Sequence, residues 1–433
     1  MDQMRQVFSV DVLERYAAKG RGVITCMSAG NDVIVLGTSK GWLIRHDFGA
    51  GESYDIDLSV GRPGEQSIHR VFVDPGGSHC IATILGSGGA ETFYTHAKWS
   101  KPRILSKLKG LTLNAVAWNR QQITEASTKE IILGTDNGQF HEMAVDEKDK
   151  REKYIKFLFE LTELPEAIMG LQMETASLSN GTRYYVMAVT PTRLYSFTGF
   201  GSLDTVFASY LERAVHFMEL PGEIPNRQVL FELHFFIKQR RAVHFAWLSG
   251  AGIYHGGLNF GAQHSSPNGD ENFVENKALL NYSKLSEGTE AVKPSSMAVS
   301  EFHFLLLLGN KVKVVNRINE QIIEELQFDQ TSESMPKGII GLCSDATAGI
   351  FYAYDQNSIF QAEAAFAAKD FLRAASFYAK VKPLFHTLLC QCISYYVSFN
   401  IPVFLLSLLD FLWDEVDIAE ITLKHFGIWL YMS

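Results

Sequence analysis

Metal, nucleophilic and phosphate chemistry each leave short signatures in a sequence. The nearest approach to one in this chain is His386, Cys390 and Cys392, spaced H-x3-C-x-C. Three such donors could face one ion, but a closed zinc site takes four ligands and usually builds on a C-x2-C knuckle, so buried thiols are the simpler reading. No GxxxxGK[ST] loop, HExxH pair or GxSxG elbow occurs. Gly86-Ser87-Gly88-Gly89 is glycine-rich, yet it lies inside a hairpin pattern and does not open a helix, so it reads as a turn and not as a phosphate cradle. His69, His79, His141 and His244 recur in or beside strand candidates. An acid or base needs oriented partners, and the local sequence brings none to them. Trp42, Trp99, Trp118 and Trp247 fit packing or a protein-contact rim better than a cofactor box, and Glu324 and Glu325, as neighbours on a strand, fall on opposite faces. No residue is assigned to catalysis, to a cofactor or to a metal.

The elements that would have to position any site are strands, and they repeat. IVLGTSKGWLIR at 34–45 and IILGTDNGQFHE at 131–142 share the order apolar run, Gly-Thr, polar pair, Gly, second run, and a looser copy, IATILGSGGAETFY, lies between them at 81–94. The repeat length is therefore about 50 residues, which belongs to blade-like units. Further two-strand units begin near Tyr185, Phe245, Phe304 and Gly349, making seven. The repeated positions Gly37, Thr38 and Gly41, and Gly134, Thr135, Asp136 and Gly138, are read as structural turn residues, because tight hairpins need side chains that tolerate positive φ. Strand candidates flank the hairpins, including IHRVFVD at 68–74, LNAVAWN at 113–119 and KYIKFLF at 153–159, so each unit predicts a four-stranded sheet that must stack on its neighbours. A pair of β-sandwiches would also supply many short strands, but gives no reason for a Gly-Thr copy at a fixed offset. The predicted fold is mainly β, a seven-bladed β-propeller over 1–360, closed by the N-terminal strand within 6–15.

Two segments depart from the strand pattern inside this span. Residues 202–220 carry part of a helical period, with Val206, Tyr210, Ala214 and Phe217 near one face, and read as an insertion at the rim. Residues 261–294 hold the densest loop signals and read as an excursion. From Gln361 the period changes: 361–380 predicts a short remnant of an α-helical solenoid, with Phe371, Ala375 and Tyr378 as candidate helix-packing residues. Residues 381–433 form an atypical apolar tail. Within it no Lys, Arg, Asp or Glu occurs from Pro383 to Leu409, a stretch long enough to span a bilayer but carrying Pro402, Asn400 and Gln391. A buried helical pair and an abnormal or badly folded tail are the other readings.

Composition narrows the function classes. Aromatic residues reach 12%, which favours strands over a coiled-coil rod. A formal net charge of −9 gives no general attraction to phosphate backbones or anionic lipid, so no nucleic-acid partner is expected. Five cysteines, mostly far apart, suit reduced thiols in the cytosol, and no apolar signal segment opens the chain. A scaffold that binds proteins through large surfaces is the favoured class. The rivals are a propeller enzyme whose residues converge on the central channel from different blades, and a membrane-anchored sensor resting on 383–409.

Four long strings then identify a resemblance: SAGNDVIVLGTSKGWLIRHD at 28–47, IHRVFVDPGGSHCIAT at 68–83, ILGTDNGQFHE at 132–142 and QAEAAFAAKDFLRAASFYAK at 361–380. Over residues 6–380 the chain resembles the deep orange family of vacuolar protein sorting subunits, in a plant-like form. The resemblance implies a core subunit of the HOPS and CORVET tethering complexes, cytoplasmic and peripheral on late endosome and vacuole or lysosome membranes. It implies sister core subunits and SNARE-associated proteins as partners, with indirect membrane association, no cofactor and no enzymatic residues. Against the family pattern, SIFQ at 358–361 runs almost directly into the helical element, and no RING-like Cys/His array follows before Ser433. Both features are those expected of a truncated or alternatively spliced form.

Overall fold

The computed structural model describes residues 8–364, apart from 17–18, 63, 99–100, 147–150, 221–230, 261–272, 286–291, 329–337 and 348. Of the solenoid remnant expected over 361–380, residues 361–364 belong instead to the strand Ser358–Ala364, whose ladder pairing overrides the local helical pattern, and the rest, with Phe371, Ala375 and Tyr378, lies outside the described residues. So do the His386, Cys390 and Cys392 cluster and the apolar stretch 383–409. The chain divides into Val12–Gln361, which holds the sheets, and a unit of Met1–Asp11 with Ala362–Ser433.

Among the described residues the strands form seven four-stranded sheets, the seven-bladed β-propeller read from the sequence. Blades 1 to 6 cover residues 24–57, 66–104, 113–160, 170–219, 233–281 and 296–327. In blade 7 the order is Phe8–Arg15, Ser358–Ala364, Ile350–Tyr354, Gly341–Asp345, so the first described strand lies at the outer edge of the last sheet. The inner strands are Ile24–Gly30, Gln66–Val73, Leu113–Ala117, Gly170–Leu178, Leu233–Lys238, Ser296–Val299 and Gly341–Asp345. Each touches the next, and Gly341–Asp345 touches Ile24–Gly30, so the ring closes.

The strand sequences explain why closure is required. Val33–Thr38 reads VIVLGT and is buried at every position, as only a strand covered on both faces can be. The core accordingly lies between blades. One apolar cluster joins Val35 and Leu43 of blade 1 to Val71 and Phe93 of blade 2, and another joins Phe140 of blade 3 to Tyr184 and Phe197 of blade 4. In the second cluster the Phe140, Phe197 and Phe207 rings meet with centroids 4.9 to 5.5 Å apart, which is where part of the high aromatic content is used.

Phe207 belongs to the short helix Leu203–Ala208, capped by the Ser202 hydroxyl accepting from the Thr205 N–H. The helical expectation for 202–220 therefore holds only for its first half. A 3-10 turn, Ser209–Leu211, follows, and His216–Glu219 pairs with Arg193–Ser196 as the fourth strand of blade 4. Nor is the segment an appendage to the rim: Leu203, Val206, Phe207 and Tyr210 are buried in the seam between blades 3 and 4. The expected excursion 261–294 likewise contains an element of the fold, Val274–Asn281, the outer strand of blade 5.

Polar bonds accompany the apolar contact across every seam. The Ser28 hydroxyl accepts from Val73 N–H at 2.9 Å between blades 1 and 2, and His69 Nε2 lies 2.8 Å from Asn114 Oδ1 between blades 2 and 3. Tyr184 donates to Glu130 at 2.5 Å between blades 3 and 4, and Glu174 accepts from Ala242 N–H at 2.9 Å between blades 4 and 5. The remaining seams carry Ser296 to Glu232 at 2.7 Å, Leu342 N–H to the Ser296 hydroxyl at 3.0 Å, and Asp32 N–H to Asp345 at 2.7 Å.

The repeated glycines divide into two kinds. Gly41 and Gly138 have φ of +78° and +81°, left-handed positions where any side chain is strained. Gly37 and Gly134 do not. A Cβ on Gly37 would lie 2.3 Å from Ile68 Cγ2 of blade 2, and one on Gly134 would lie 2.7 Å from Ile168 Cγ2 at the entry to blade 4. Thr38 and Thr135 tie the same hairpins, their hydroxyls accepting from Trp42 N–H at 3.1 Å and Gln139 N–H at 3.0 Å, while Asp136 N–H donates to Thr112 at 3.0 Å.

Blades 5 and 6 enclose three histidines, His244, His255 and His303. Burial first, and the nearby Arg317 guanidinium second, push His244 and His303 down to about 3 and His255 to about 4. These imidazoles are neutral in the fold, whereas in the unfolded chain they take a proton near pH 6.5.

Two outcomes follow. Gly37→Ala should destabilise by about 1–3 kcal/mol through overpacking of the seam, read as a lower midpoint in urea; a midpoint equal to the parent's would show that the seam tolerates a methyl group there. Stability should be full above pH 6.5 and fall below it, by roughly 1.4 kcal/mol per pH unit for each histidine, as the unfolded state takes up protons first. His303→Gln should make the decline between pH 6 and 4 shallower, and an unchanged slope in urea titrations would refute the assignment.

Candidate functional site

Inside the ring, a cavity of about 290 Å³ opens between blades 1 to 5 and blade 7. Its polar lining includes Arg70, Asn114, Arg120, Gln172, Glu232 and His234. Most of these groups already hold the ring together. Asn114 meets His69 across a seam, and Gln172 Nε2 donates to Leu233 carbonyl at 3.4 Å. Glu232 accepts from Ser296 at 2.7 Å, from Met297 N–H at 2.8 Å and from His234 Nε2 at 2.8 Å, so the pair that most resembles an acid and a base is tied into the seam between blades 5 and 6. Lys293, beside Phe231 with its Nζ 3.8 Å from the ring centroid, is pushed down to about 8 by burial, partly offset by Glu232. Arg70 and Arg120 are the two arginines of the cavity lining, which does not include Lys293.

The histidines picked out by sequence are distributed around the ring and not gathered. His69 faces Asn114, and His79 lies between Tyr94 Oη at 2.5 Å and Thr124 carbonyl at 2.8 Å. His141 stands edge-on to Phe157 with ring centroids 5.7 Å apart, and His244 stacks on Phe236 at 4.7 Å. Of the tryptophans, Trp118 lines the cavity and Trp247 is fully buried in the seam between blades 4 and 5. Glu324 and Glu325 lie on the outer strand Ile322–Gln327, and Glu325 pairs with Lys313 at 3.2 Å. Among the described residues no group of three or more His, Cys, Asp and Glu could hold a metal ion, and no helix is long and apolar enough to cross a membrane.

Sequence reasoning passed over the seam carboxylates Glu130, Glu174 and Glu232. A faint signal existed for Glu174, a charge at the end of the apolar run IMGLQME, but the residue that receives it lies 68 positions away, at Ala242.

Comparison with known proteins agrees with this architecture. Residues 6–364 match the Pep3/Vps18/deep orange β-propeller domain. The chain is 74% identical to the Arabidopsis thaliana protein named vacuolar sorting protein 18, over 88% of this chain and 42% of that protein. It is 26% identical to the Danio rerio vacuolar protein sorting-associated protein 18 homolog, over 78% of this chain and 34% of the relative. The Drosophila melanogaster homolog of the same name is also 26% identical, over 68% and 30%. The chain thus spans less than half the length of each of these relatives. On the propeller, its closure and this match over most of its length, the chain belongs to the Pep3/Vps18/deep orange family.

Proposed function

We propose that this chain is a non-enzymatic scaffold, a subunit of a HOPS- or CORVET-type tethering complex that acts in vesicle docking and vacuolar protein sorting through protein–protein contacts. The observation that carries the reading is the 74% identity to the Arabidopsis thaliana vacuolar sorting protein 18, which extends over 88% of the chain. The use of the cavity carboxylate Glu232 as a seam bond supports it, because a propeller enzyme would need such a group directed at substrate.

In this proposal the propeller, which runs to residue 364, presents contact surfaces on blade edges and connecting loops, and a helical element within 365–380, with Phe371, Ala375 and Tyr378, joins sister subunits. The partners are the other core subunits of the complex, with SNARE-associated proteins as further contacts. The location is the cytoplasmic face of late endosome and vacuole membranes, held peripherally through those partners.

The test is an affinity pull-down of the 433-residue chain, beside a version ending at residue 364, against the purified core subunits. Capture of a core subunit by both supports a propeller-borne contact. Capture by the longer chain alone assigns the contact to 365–433. Failure of both, with circular dichroism showing folded β structure, overturns the reading.

A further inference from the structure

Two arginines line the central cavity. Arg70 lies on the inner strand Gln66–Val73 of blade 2, and Arg120 lies just beyond the inner strand Leu113–Ala117 of blade 3. Both are half-buried, and among the described residues neither guanidinium makes a hydrogen bond, an ion pair or a cation–π contact. Other arginines of similar burial do not share this condition. Arg21 pairs with Asp55, Arg62 with Glu91, and Arg317 donates to Glu301 carbonyl at 3.2 Å.

Among the described residues no carboxylate is hydrogen-bonded to either guanidinium, although Glu232 lines the same cavity. Glu232 is taken by Ser296, Met297 and His234, and Glu174 accepts from Thr175 N–H at 3.2 Å and from Ala242 N–H at 2.9 Å. Glu174 acts on Arg120 only through space, and burial outweighs it, holding the Arg120 guanidinium below its ordinary value. A partly desolvated guanidinium with no hydrogen-bonded counter-ion leaves its fork of donors unused, and an anion entering the cavity could take them up.

The chemistry of that anion follows from the donors. A guanidinium fork matches the oxygens of phosphate or carboxylate, but a single carboxylate carries one charge and satisfies one fork. A phosphate ester carries up to two charges and offers three terminal oxygens, enough for forks approaching from two blades. A volume of about 290 Å³ admits a group of this size and excludes a folded peptide element.

We propose that the central cavity is a binding site for a small phosphate-bearing anion, held between Arg70 of blade 2 and Arg120 of blade 3. The phosphate is either that of a soluble phosphoester or that of a lipid headgroup. The site is independent of the scaffold reading, and its failure would leave the pull-down result untouched.

The test titrates the full 433-residue chain with inorganic phosphate and with inositol trisphosphate in a calorimeter. In parallel, the chain is sedimented with vesicles of phosphatidylcholine carrying a phosphorylated inositol lipid, and with charge-matched phosphatidylserine vesicles. Binding of a phosphate probe is expected, weakened roughly ten- to a hundredfold by Arg70→Gln and by Arg120→Gln. Arg120→Met, which keeps the aliphatic stem, should raise the Tm of the probe-free protein by removing an uncompensated charge. Soluble binding without vesicle binding assigns the site to a free phosphoester; vesicle binding specific to the phosphorylated lipid and sensitive to both substitutions assigns it to a headgroup. Absence of binding in both arms, binding that survives both substitutions, or a lowered Tm for Arg120→Met overturns the proposal.

Discussion

Every feature of this fold depends on one constraint, that a four-stranded sheet buried on both faces has no stable existence alone. Val33–Thr38 is covered at all six positions, and nothing within its own blade can do that. Each blade must be flanked on both sides, and a row of such blades has two uncovered ends unless it becomes a ring. The contact between Gly341–Asp345 and Ile24–Gly30 removes those ends. Placing Phe8–Arg15 at the edge of blade 7 joins the beginning of the described chain to its last blade, so that sheet cannot be completed until both are in hand.

The seams show how a largely apolar interface fixes its register. Apolar packing is non-directional and would tolerate small slides of one blade on the next. The seam bonds do not, since a buried donor or acceptor left without a partner costs more than the bond itself contributes. Glu174 reaching Ala242, Glu232 reaching Ser296, and Asp345 reaching Asp32 each couple residues of adjacent blades through one short bond. Gly37 and Gly134 serve the same end by a different route, letting Ile68 and Ile168 approach closer than any Cβ permits.

The polar groups of the cavity follow from this arrangement. Inner strands contribute the lining and also the seams, so a carboxylate such as Glu232 can serve either chemistry or cohesion, and here it serves cohesion. That division supports a molecule acting through its surfaces. The cavity's two arginines stand apart from it, because among the described residues neither guanidinium makes a hydrogen bond or an ion pair.

By itself the sequence determined the class of fold and the number of blades, because Gly-Thr hairpins and apolar strand runs are local properties that recur at a fixed spacing. It also determined which residues resemble the deep orange family, since long identical strings need no geometry to be recognised. Helical periodicity misled at 202–220, where Val206 and Tyr210 do lie in a buried helical turn but Phe217 belongs to a strand, because tertiary pairing with Tyr195 overrode the local pattern. Only the tertiary structure decided the pairing across seams, the distinct duties of Gly37 and Gly41, and the meeting of Arg70 with Arg120 around one cavity. The physical reason is common to all three. The seam pairings, the Gly37 contact with Ile68 and the shared cavity each depend on residues from different blades, which the ring brings together and no local stretch of sequence encodes.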